Sequence, residues 1–368
     1  MKIITVPFLL ITLIASQVNG STLIQGDSVW IETSSGCKVY NPFPAKNESV
    51  TWSGGCSGGF ASGEGELIWS QKGTAAQKYT GSMKRGMPSG YGIYDLMNGT
   101  IKEGNYQNGK QNGLGKYYSI GSNDKIDHYV EGNFVDGELL GIGIEIYFDE
   151  QGDSSIYYKG SFVDENWEGQ GTLKYFYEYS FTIYKGTFKN DAPAGMGEQF
   201  EYFSGKEVNY KKGIFPFDKM NGKGEVRVGL NRYLGEFKKG KREGQGKLIN
   251  NKVLVYEGEW RNDKIDGIGK RYFPDGSFYM GKFKQNEPNG FGVKDWGDGY
   301  MYIGEFHNGL FEGNGVVFKD TRVLASGIWA KGEVEYQRDY QQIMDKINSR
   351  YKETIESMDL NVSFLVNN

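Results

Sequence analysis

Residues that often carry enzyme chemistry are scarce in this sequence of 368 residues, which has two histidines and two cysteines. The histidines, His128 and His307, lie far apart in the chain, which argues against a histidine-dependent triad or a histidine-rich metal centre. The cysteines have no histidine nearby and make a poor metal site. No glycine loop ends in Gly-Lys-Ser or Gly-Lys-Thr, as a nucleotide-binding loop would. The sequence therefore predicts no catalytic residue, no metal and no cofactor.

Long apolar runs are absent except at the N-terminus. Residues 3–15 form a mostly apolar run after Lys2, and a transmembrane helix needs about 20 such residues. Val18 and Gly20 are small enough for a cleavage site before Ser21. This pattern predicts a signal peptide at residues 1–20 and a location in the secretory pathway, either lumenal or extracellular. An uncleaved anchor and a buried strand are the alternatives.

Positive charge is not in excess, since 42 basic residues face 46 acidic ones and the formal net charge is −4. This balance argues against nucleic acid as a partner. The local exception is a basic run with Lys238, Lys239, Lys241 and Arg242. These side chains could contact an anionic headgroup or glycan. The alternative is a solvated turn.

Glycine is abundant and follows one spacing. Eleven sets, each with further glycines nine and eleven residues after the first, account for 33 of the 55 glycines. The sets begin at Gly54, Gly81, Gly104, Gly132, Gly160, Gly186, Gly213, Gly235, Gly258, Gly281 and Gly304. A twelfth start, at Gly327, lacks the two later glycines. A repeat of this length determines the fold more strongly than any local motif.

An aromatic residue follows the first glycine by two positions in most sets. Cys56 and Met83 are the exceptions. We expect these residues to form the repeat core: Tyr106, Phe134, Phe162, Phe188, Phe215, Phe237, Trp260, Phe283, Phe306 and Trp329.

The stretch from Tyr256 to Ser277 reads as a hairpin. Tyr256, Gly258 and Trp260 alternate with glutamates and share one face of a strand. The sequence predicts a six-residue bend at residues 261–266 and a second strand after it. Glycines inside strands indicate very close packing, and we expect an aromatic ring to lie over their bare backbone.

Segments such as YEGEWRNDKIDGIGK (residues 256–270), YLGEFKKGKREGQGK (233–247) and YIGEFHNGLFEGNG (302–315) resemble the MORN-repeat family. The resemblance covers roughly residues 51–332. It implies an all-β fold, an elongated and twisted antiparallel ribbon or solenoid of about eleven stacked hairpins. It also implies a scaffold, a dimerisation surface or a membrane-associated module.

Four segments are expected along the chain: the signal peptide, a cap segment at residues 21–50, the repeat array at 51–332, and a C-terminal amphipathic helix with a tail at 333–368. The last segment has no glycine or proline, and its apolar residues recur at three- and four-residue steps. The helix could cap the last hairpin. Alternatively, it could pair with another chain.

Repeat spacing is wider in the first half of the array, and the added residues are expected in loops on one edge. Such loops could bind a partner, or they could be tolerated drift. The repeat at Gly213 also departs from the pattern, because Tyr210 precedes that glycine by three residues instead of two. We expect a bulge or an altered turn there.

A secreted context favours a disulfide between Cys37 and Cys56, which would fasten the first hairpin to the cap. Cys56 occupies the aromatic position of its repeat, so we expect it to point into the stack. Asn47, Asn98 and Asn361 fit the N-glycosylation pattern. Because that pattern is short, each could equally be an unmodified surface asparagine.

Two functions follow from these features. The first is a non-catalytic scaffold of the secretory pathway that binds protein partners, a second copy of itself among them, along an aromatic-rich ribbon or through the C-terminal helix. The second is a peripheral module for a membrane, an anionic lipid or a glycan. Recurring outward glutamates, Glu236, Glu259 and Glu305, are expected to be solvated surface and not paired catalytic acids.

Overall fold

A computed structural model describes residues 29–41, 47–216 and 219–358 of the chain. The predicted signal peptide and Asn361 lie outside these residues. The chain divides into two units, Met1–Ala194 and Gly195–Asn368. Within the described residues, no helix combines the length and the apolar character needed to cross a membrane.

Twenty-seven strands and one helix make up the described residues. The elements are β1 (Val29–Glu32), β2 (Lys38–Asn41), β3 (Glu48–Trp52), β4 (Gly55–Ser57), β5 (Phe60–Gln71), β6 (Thr74–Lys84), β7 (Met87–Asp95), β8 (Thr100–Gln107), β9 (Lys110–Ile120), β10 (Ile126–Val135), β11 (Glu138–Phe148), β12 (Ser154–Val163), β13 (Asn166–Tyr177), β14 (Ser180–Lys189), β15 (Ala192–Phe203), β16 (Lys206–Pro216), β17 (Asn221–Val228), β18 (Asn231–Lys238), β19 (Lys241–Asn250), β20 (Val253–Arg261), β21 (Lys264–Tyr272), β22 (Phe278–Lys284), β23 (Glu287–Asp295), β24 (Tyr300–His307), β25 (Leu310–Lys319), β26 (Arg322–Ala330), β27 (Glu333–Gln337) and α1 (Tyr340–Ser357).

Most repeat hairpins turn through only two residues. In the hairpin of β20 and β21 these are Asn262 and Asp263, with φ of 49° and 67°. Two positive φ values define a type I′ turn, whose twist matches that of the flanking strands. The predicted six-residue bend at residues 261–266 is therefore wrong. The Asn108-Gly109 and Asn308-Gly309 pairs, which favour this turn, already mark two of the other turns in the sequence.

From β5 to β14 and from β16 to β27, neighbouring strands pair antiparallel in chain order, and their register places glycine opposite glycine. At the N-terminus, β3 and β4 pair antiparallel with β5, and β2 meets β5 in parallel. Gly258 of β20 pairs with Gly246 of β19 on one side and with Gly269 of β21 on the other. The same alignment recurs in the first unit, where Gly143 lies between Gly132 and Gly160. The repeat spacing of the sequence thus becomes a row of glycines that crosses the strands of each unit.

Aromatic rings cover most of these glycines, as the sequence predicts, and the ring is a tyrosine in the repeat of Gly258. Gly132 is an exception, because Leu139 covers it. A Cβ on Gly258 would lie 2.6 Å from the hydroxyl oxygen of Tyr256, and a Cβ on Gly269 would lie 2.5 Å from its ring carbon Cζ. Such distances are shorter than any real Cβ contact. The Tyr256 ring therefore lies over a glycine of its own strand and over a glycine of the next strand. Only glycine leaves room for its ring.

The extra residues of the wider repeats lengthen strands, and the expectation that they lengthen loops is wrong. β13 (Asn166–Tyr177) and β14 (Ser180–Lys189) are joined by two residues although their repeat is long. The Phe176 and Phe181 rings lie 6.3 Å apart beside that turn. Aromatic residues continue the antiparallel pairing beyond the length of a short repeat, because β-branched and aromatic side chains favour strands.

The repeat at Gly213 joins its strands through a longer segment than the other repeats, and residues 217–218 of the predicted altered turn lie outside the described residues. Its strands β16 and β17 are separated by residues 217–220 instead of two. Lys211 takes the position that tyrosine holds elsewhere, and its Nζ lies 2.8 Å from Oε1 of Glu201. Tyr210 is consequently on the opposite face, where its ring packs 5.1 Å from the Phe200 ring.

The N-terminal segment packs against the first repeat and is fastened to it by the predicted disulfide. Cys37 and Cys56 are bonded, with Cα atoms 5.7 Å apart. Cys37 is buried, but Cys56 is exposed on β4 (Gly55–Ser57). The expectation that Cys56 points into the stack is wrong, because Trp52 covers the glycine pair of this repeat.

Removing the disulfide should destabilise this N-terminal segment. We expect Cys37→Ser combined with Cys56→Ser to cost about 3 kcal/mol, the chain-entropy value for a loop of this size. Hydrogen exchange should then rise in β1–β5. An unchanged exchange rate there would show that packing alone holds the segment. The distant β20–β21 hairpin serves as the internal reference.

The C-terminal segment begins with a strand, so the predicted helical segment at residues 333–368 starts too early. β27 (Glu333–Gln337) pairs with β26 (Arg322–Ala330) and completes a twelfth hairpin. α1 (Tyr340–Ser357) follows, and the Asp339 carboxylate accepts a hydrogen bond from the Gln342 N–H at its N-terminus. Trp329 of β26 pairs with Val334 of β27. This last hairpin therefore forms without the later glycines of a full repeat.

Candidate interaction face

Each repeat presents two different faces, because successive side chains of a strand point to opposite sides. We call the side that carries the glycine row and its covering rings the aromatic face. We call the other side the ladder face, since it carries Glu236, Glu259 and Glu305. Any partner must contact one of these faces or the turns.

Most of the aromatic face is filled by its own rings, although a groove of about 510 Å³ opens beside Phe215, Tyr233 and Phe237 in the second unit. All ten predicted repeat-core residues are buried: Tyr106, Phe134, Phe162, Phe188, Phe215, Phe237, Trp260, Phe283, Phe306 and Trp329. The rings meet mostly edge to face, as Trp260 does with Tyr233 and Tyr256 at 5.2 and 5.3 Å. Edge-to-face contacts of this kind stabilise beyond simple burial. These rings are core and are not available to a partner.

The tyrosines of this face are also held at their hydroxyl groups. In seven repeats the hydroxyl donates to the backbone carbonyl three residues later: Tyr79, Tyr158, Tyr184, Tyr233, Tyr256, Tyr279 and Tyr302. Burial raises the pKa of Tyr184 to about 12 and raises that of the other six still further. These phenols therefore stay protonated and keep donating at physiological pH.

In the second unit, α1 covers the ladder face near the C-terminus. Its Ile343, Met344 and Ile347 are buried in one cluster with Phe291 and Ile303 of the sheet. The predicted cap therefore lies across a face of the sheet and not over the last hairpin alone. The alternative, in which the helix pairs with another chain, would require these buried residues to be exposed.

The direction of α1 follows from two ring contacts. Tyr340 lies 6.0 Å from Phe318 of β25, and Tyr351 stacks 5.3 Å from Phe291 of β23. The helix thus crosses the strands obliquely. Arg350 reaches Oε1 of Glu305 at 3.4 Å on the way. The ladder face therefore binds α1 through an apolar centre, with one charged contact at its side.

The glutamates of the ladder do not form catalytic pairs. Glu236 and Glu259 lie on β18 and β20, which are separated by one strand, so their backbones are about 10 Å apart. Each lies over a glycine of the partner strand, Gly244 and Gly267 respectively. Glu305 accepts hydrogen bonds from Asn314 and Arg350. These contacts give the ladder a structural role.

In the first unit, the ladder face is open and carries a stripe of exposed apolar residues. Tyr91, Leu114 and Ile142 are 56%, 74% and 66% exposed. Each stands between the second and third glycines of its repeat, on β7, β9 and β11. Together with their neighbours they line a groove of about 380 Å³. The sequence pattern contained this stripe, but sequence analysis missed it because single exposed apolar residues carry no signal.

Charged residues border this groove. The Tyr91 hydroxyl and the Lys116 Nζ both contact the Glu103 carboxylate, the latter at 3.0 Å. The hydrogen bond from Tyr91 and the contact with Lys116 lower the pKa of Glu103, so it stays ionised. Glu131 and Lys159 continue the border on the next strands. The border therefore alternates in sign and has no excess of positive charge.

One polar cluster interrupts the aromatic face, and sequence analysis missed it. The Glu145 side chain is buried, and its carboxylate accepts hydrogen bonds from Tyr147 and Trp167 at 2.8 and 2.5 Å. His128 lies 2.8 Å from the same carboxylate and stacks on the Tyr147 ring. Burial raises the pKa of the neighbouring Asp191, which accepts from the Trp167 N–H. Every polar atom named here has a partner, so the cluster is a structural network.

The comparisons with known proteins agree with this geometry. The MORN repeat profile matches residues 79–101, 103–122, 184–199, 233–251, 256–278, 279–299 and 302–319. The chain is a MORN-repeat protein. No curated protein matches it. MORN repeats are repeat scaffolds, often in interactions with proteins or membranes, and proteins built from them are generally not catalytic.

The basic run of this MORN-repeat protein lies at the β18–β19 turn. Lys238, Lys239 and Lys241 are exposed, and none of them forms an ion pair within the ranges that the structure describes. Arg242 differs, because it pairs with Asp263 at 3.3 Å and packs 4.2 Å from the Trp260 ring. The predicted anion contact is thus reduced to the three lysines, since Arg242 is held by the core.

The other predicted sites of the MORN array lie at its surface. Asn47 and Asn98 are exposed. Asn98 accepts a hydrogen bond from the Thr100 N–H within its turn. His307 is exposed at the end of β24 and contacts Asn308. Across residues 29–41, 47–216 and 219–358, no cluster of His, Cys, Asp and Glu side chains could hold a metal ion.

Proposed function

We propose that this MORN-repeat protein is a non-catalytic scaffold of the secretory pathway or extracellular space that binds protein partners. The observation that carries the proposal is a difference in side-chain exposure between the two faces. In the first unit the repeat-core rings of the aromatic face are buried, whereas the ladder face leaves Tyr91, Leu114 and Ile142 exposed on alternate strands. Asn105 and Asn133 lie between them on the intervening strands. Exposed apolar side chains grouped among polar ones are typical of protein interaction sites.

The secretory location rests on two observations. Residues 1–20 have the pattern of a signal peptide. The Cys37–Cys56 disulfide suits an oxidising compartment, since disulfides are rare in the reducing cytosol. Exposed asparagines at Asn47 and Asn98 would then be open to glycosylation.

Binding to an anionic membrane or glycan is the second candidate, and Lys238, Lys239 and Lys241 favour it. They place three cations at a single turn. Each lysine near an anionic surface contributes about 1 kcal/mol. The overall charge of −4 opposes this attraction, so we rank it below protein binding.

Salt dependence distinguishes the two functions. The full chain would be expressed in secreting cells, and its partners would be cross-linked at the cell surface and in the medium. We expect protein adducts to persist at about 0.5 M NaCl, where the Debye length is about 4 Å. Phosphatidylserine vesicles should not bind. Vesicle binding that disappears in salt and in the variant Lys238→Ala/Lys239→Ala/Lys241→Ala, with no protein adduct, would support the membrane function instead.

A further inference from the structure

The apolar stripe of the first unit matches a position that is already occupied in the second unit. Phe291 lies between Gly290 and Gly292, as Leu114 lies between the second and third glycines of its own repeat. Phe291 is only 1% exposed because Tyr351 of α1 stacks on it. Leu114 is 74% exposed. The same repeat position is therefore covered by a helix in one unit and bare in the other.

The apolar character of the stripe is not a general property of this repeat position. Polar residues hold the equivalent place elsewhere: Gln170, Lys223, Gln245 and Asn314. In the second unit, Ile268 holds this place and packs against the cluster under α1, as Phe291 does. In the first unit, Tyr91, Leu114 and Ile142 follow one another in three successive hairpins. Asn105 and Asn133 lie on the strands between these three residues, as Lys282 and Glu305 lie beside Ile268 and Phe291 in the second unit.

The spacing of the stripe fits an α-helix. Its residues lie on alternate strands, and two strand spacings are about 9.5 Å. Seven residues of an α-helix rise about 10.5 Å. Side chains at heptad steps along one helix could therefore contact Tyr91, Leu114 and Ile142 in turn. Ile93 and Ile144 stand on the same face beside the stripe and would meet residues three or four positions away.

We assign the occupant to another protein, because the helix of the described residues is already in use. α1 of the same chain already buries Ile343, Met344 and Ile347 against its own sheet. The alternating charges of the border, Glu131 and Lys159 among them, suit a helix with both charge signs at its flanks. α1 makes a contact of this kind where Arg350 meets Glu305. A lipid surface would require a cationic border, which this groove lacks.

We propose that the ladder face of the first unit, centred on Leu114, docks an amphipathic α-helix of a partner protein in the manner of α1. This inference rests on the proposed scaffold function and specifies its partner class. The helix would present one apolar stripe at three- and four-residue steps over at least four turns. The groove supplies the apolar contact, and the border fixes the lateral position of the helix.

A synthetic peptide of residues 339–358 tests the proposal, because this sequence covers Ile268 and Phe291, which hold the stripe position in the second unit. Its fluorescence anisotropy would be titrated with the full secreted chain, whose own α1 occupies the second unit. We expect saturable binding with one peptide per chain. The variant Leu114→Lys/Ile142→Lys should weaken binding at least tenfold, and the peptide with Ile347→Asp should not bind.

Met196→Lys provides the matched control. Met196 is 56% exposed, like Tyr91, and holds the same repeat position, but it belongs to the second unit. This variant should bind the peptide as the unmodified chain does. If the double variant folds poorly, Leu114→Gln tests the same contact with a neutral side chain. No saturable binding, or equal binding by the stripe variants, would overturn the proposal.

The two proposals can fail separately. Protein adducts that persist unchanged in Leu114→Lys/Ile142→Lys, with no peptide binding, would leave the scaffold function standing and refute the helix site. Peptide binding confined to the stripe, with no protein adduct at the cell surface or in the medium, would refute the scaffold function in those compartments. The site would then remain as a helix-binding groove.

Discussion

Replacing Trp260 by alanine should destabilise the second unit by about 3–5 kcal/mol, the range measured for removing a large buried aromatic. The Trp260 ring is buried between Tyr233 and Tyr256, and the Arg242 guanidinium packs on it. Its Nε1–H also donates to the Gly246 carbonyl. Removing the ring leaves a cavity between successive hairpins. Chemical denaturation of the full chain measures the loss of unfolding free energy. Far-ultraviolet circular dichroism follows it, because this signal comes from the backbone and not from the removed indole.

Leu230→Ala is the control for this experiment, because Leu230 is 68% exposed at a turn of the same unit. It should change the free energy of unfolding by less than about 0.5 kcal/mol. Hydrogen exchange should locate the effect of Trp260→Ala in β18–β21. A loss below about 1 kcal/mol, or exchange that rises only in distant hairpins, would contradict the assignment of Trp260 to the core.

Replacing Glu145 by alanine should destabilise the first unit by about 4 kcal/mol. The buried carboxylate satisfies Trp167 Nε1–H and the Tyr147 hydroxyl, and it also contacts His128. A buried donor without a partner costs about 1–3 kcal/mol, and here three groups lose theirs together. The thermal midpoint and the denaturant midpoint of the full chain measure the change.

Glu145→Gln separates charge from hydrogen bonding. The amide keeps one acceptor oxygen, so we expect a smaller loss, about 1–2 kcal/mol. Glu131→Ala is the exposed control on the ladder face of the same unit and should be nearly neutral. Equal stability of Glu145→Ala and the unmodified chain would show that water replaces the carboxylate, and that the network does not hold this part of the aromatic face.

Sequence reasoning predicted the repeat architecture because each repeat shows its glycine spacing within a short segment of the chain. The spacing of Gly258 and Gly269 fixes a register in which bare backbone meets a tyrosine ring, and the structure confirms that contact. The disulfide between Cys37 and Cys56 was also predictable, since two cysteines and a secretory pattern leave one pairing. The antiparallel strands and the C-terminal helix are confirmed, although β27 precedes that helix.

Features that depend on contacts between distant residues were not predictable. Glu145 carries no signal in the sequence, because nothing in its own repeat shows that the Trp167 indole will reach it from the next hairpin. Arg242 reads as part of a basic turn, yet Asp263 and Trp260 hold it against the core. In both cases the partner belongs to a neighbouring repeat, and its side-chain direction is decided by packing.

The sequence by itself determined which residues are core, since eleven repetitions of one spacing place an aromatic ring over each glycine pair or beside it. Only the tertiary structure decided which face remains open. α1 lies over Phe291 in the second unit, whereas Leu114 in the first unit has no such cover. The physical reason is that periodicity fixes the side to which a residue points. What covers that side depends on a chain segment that packs from far along the sequence.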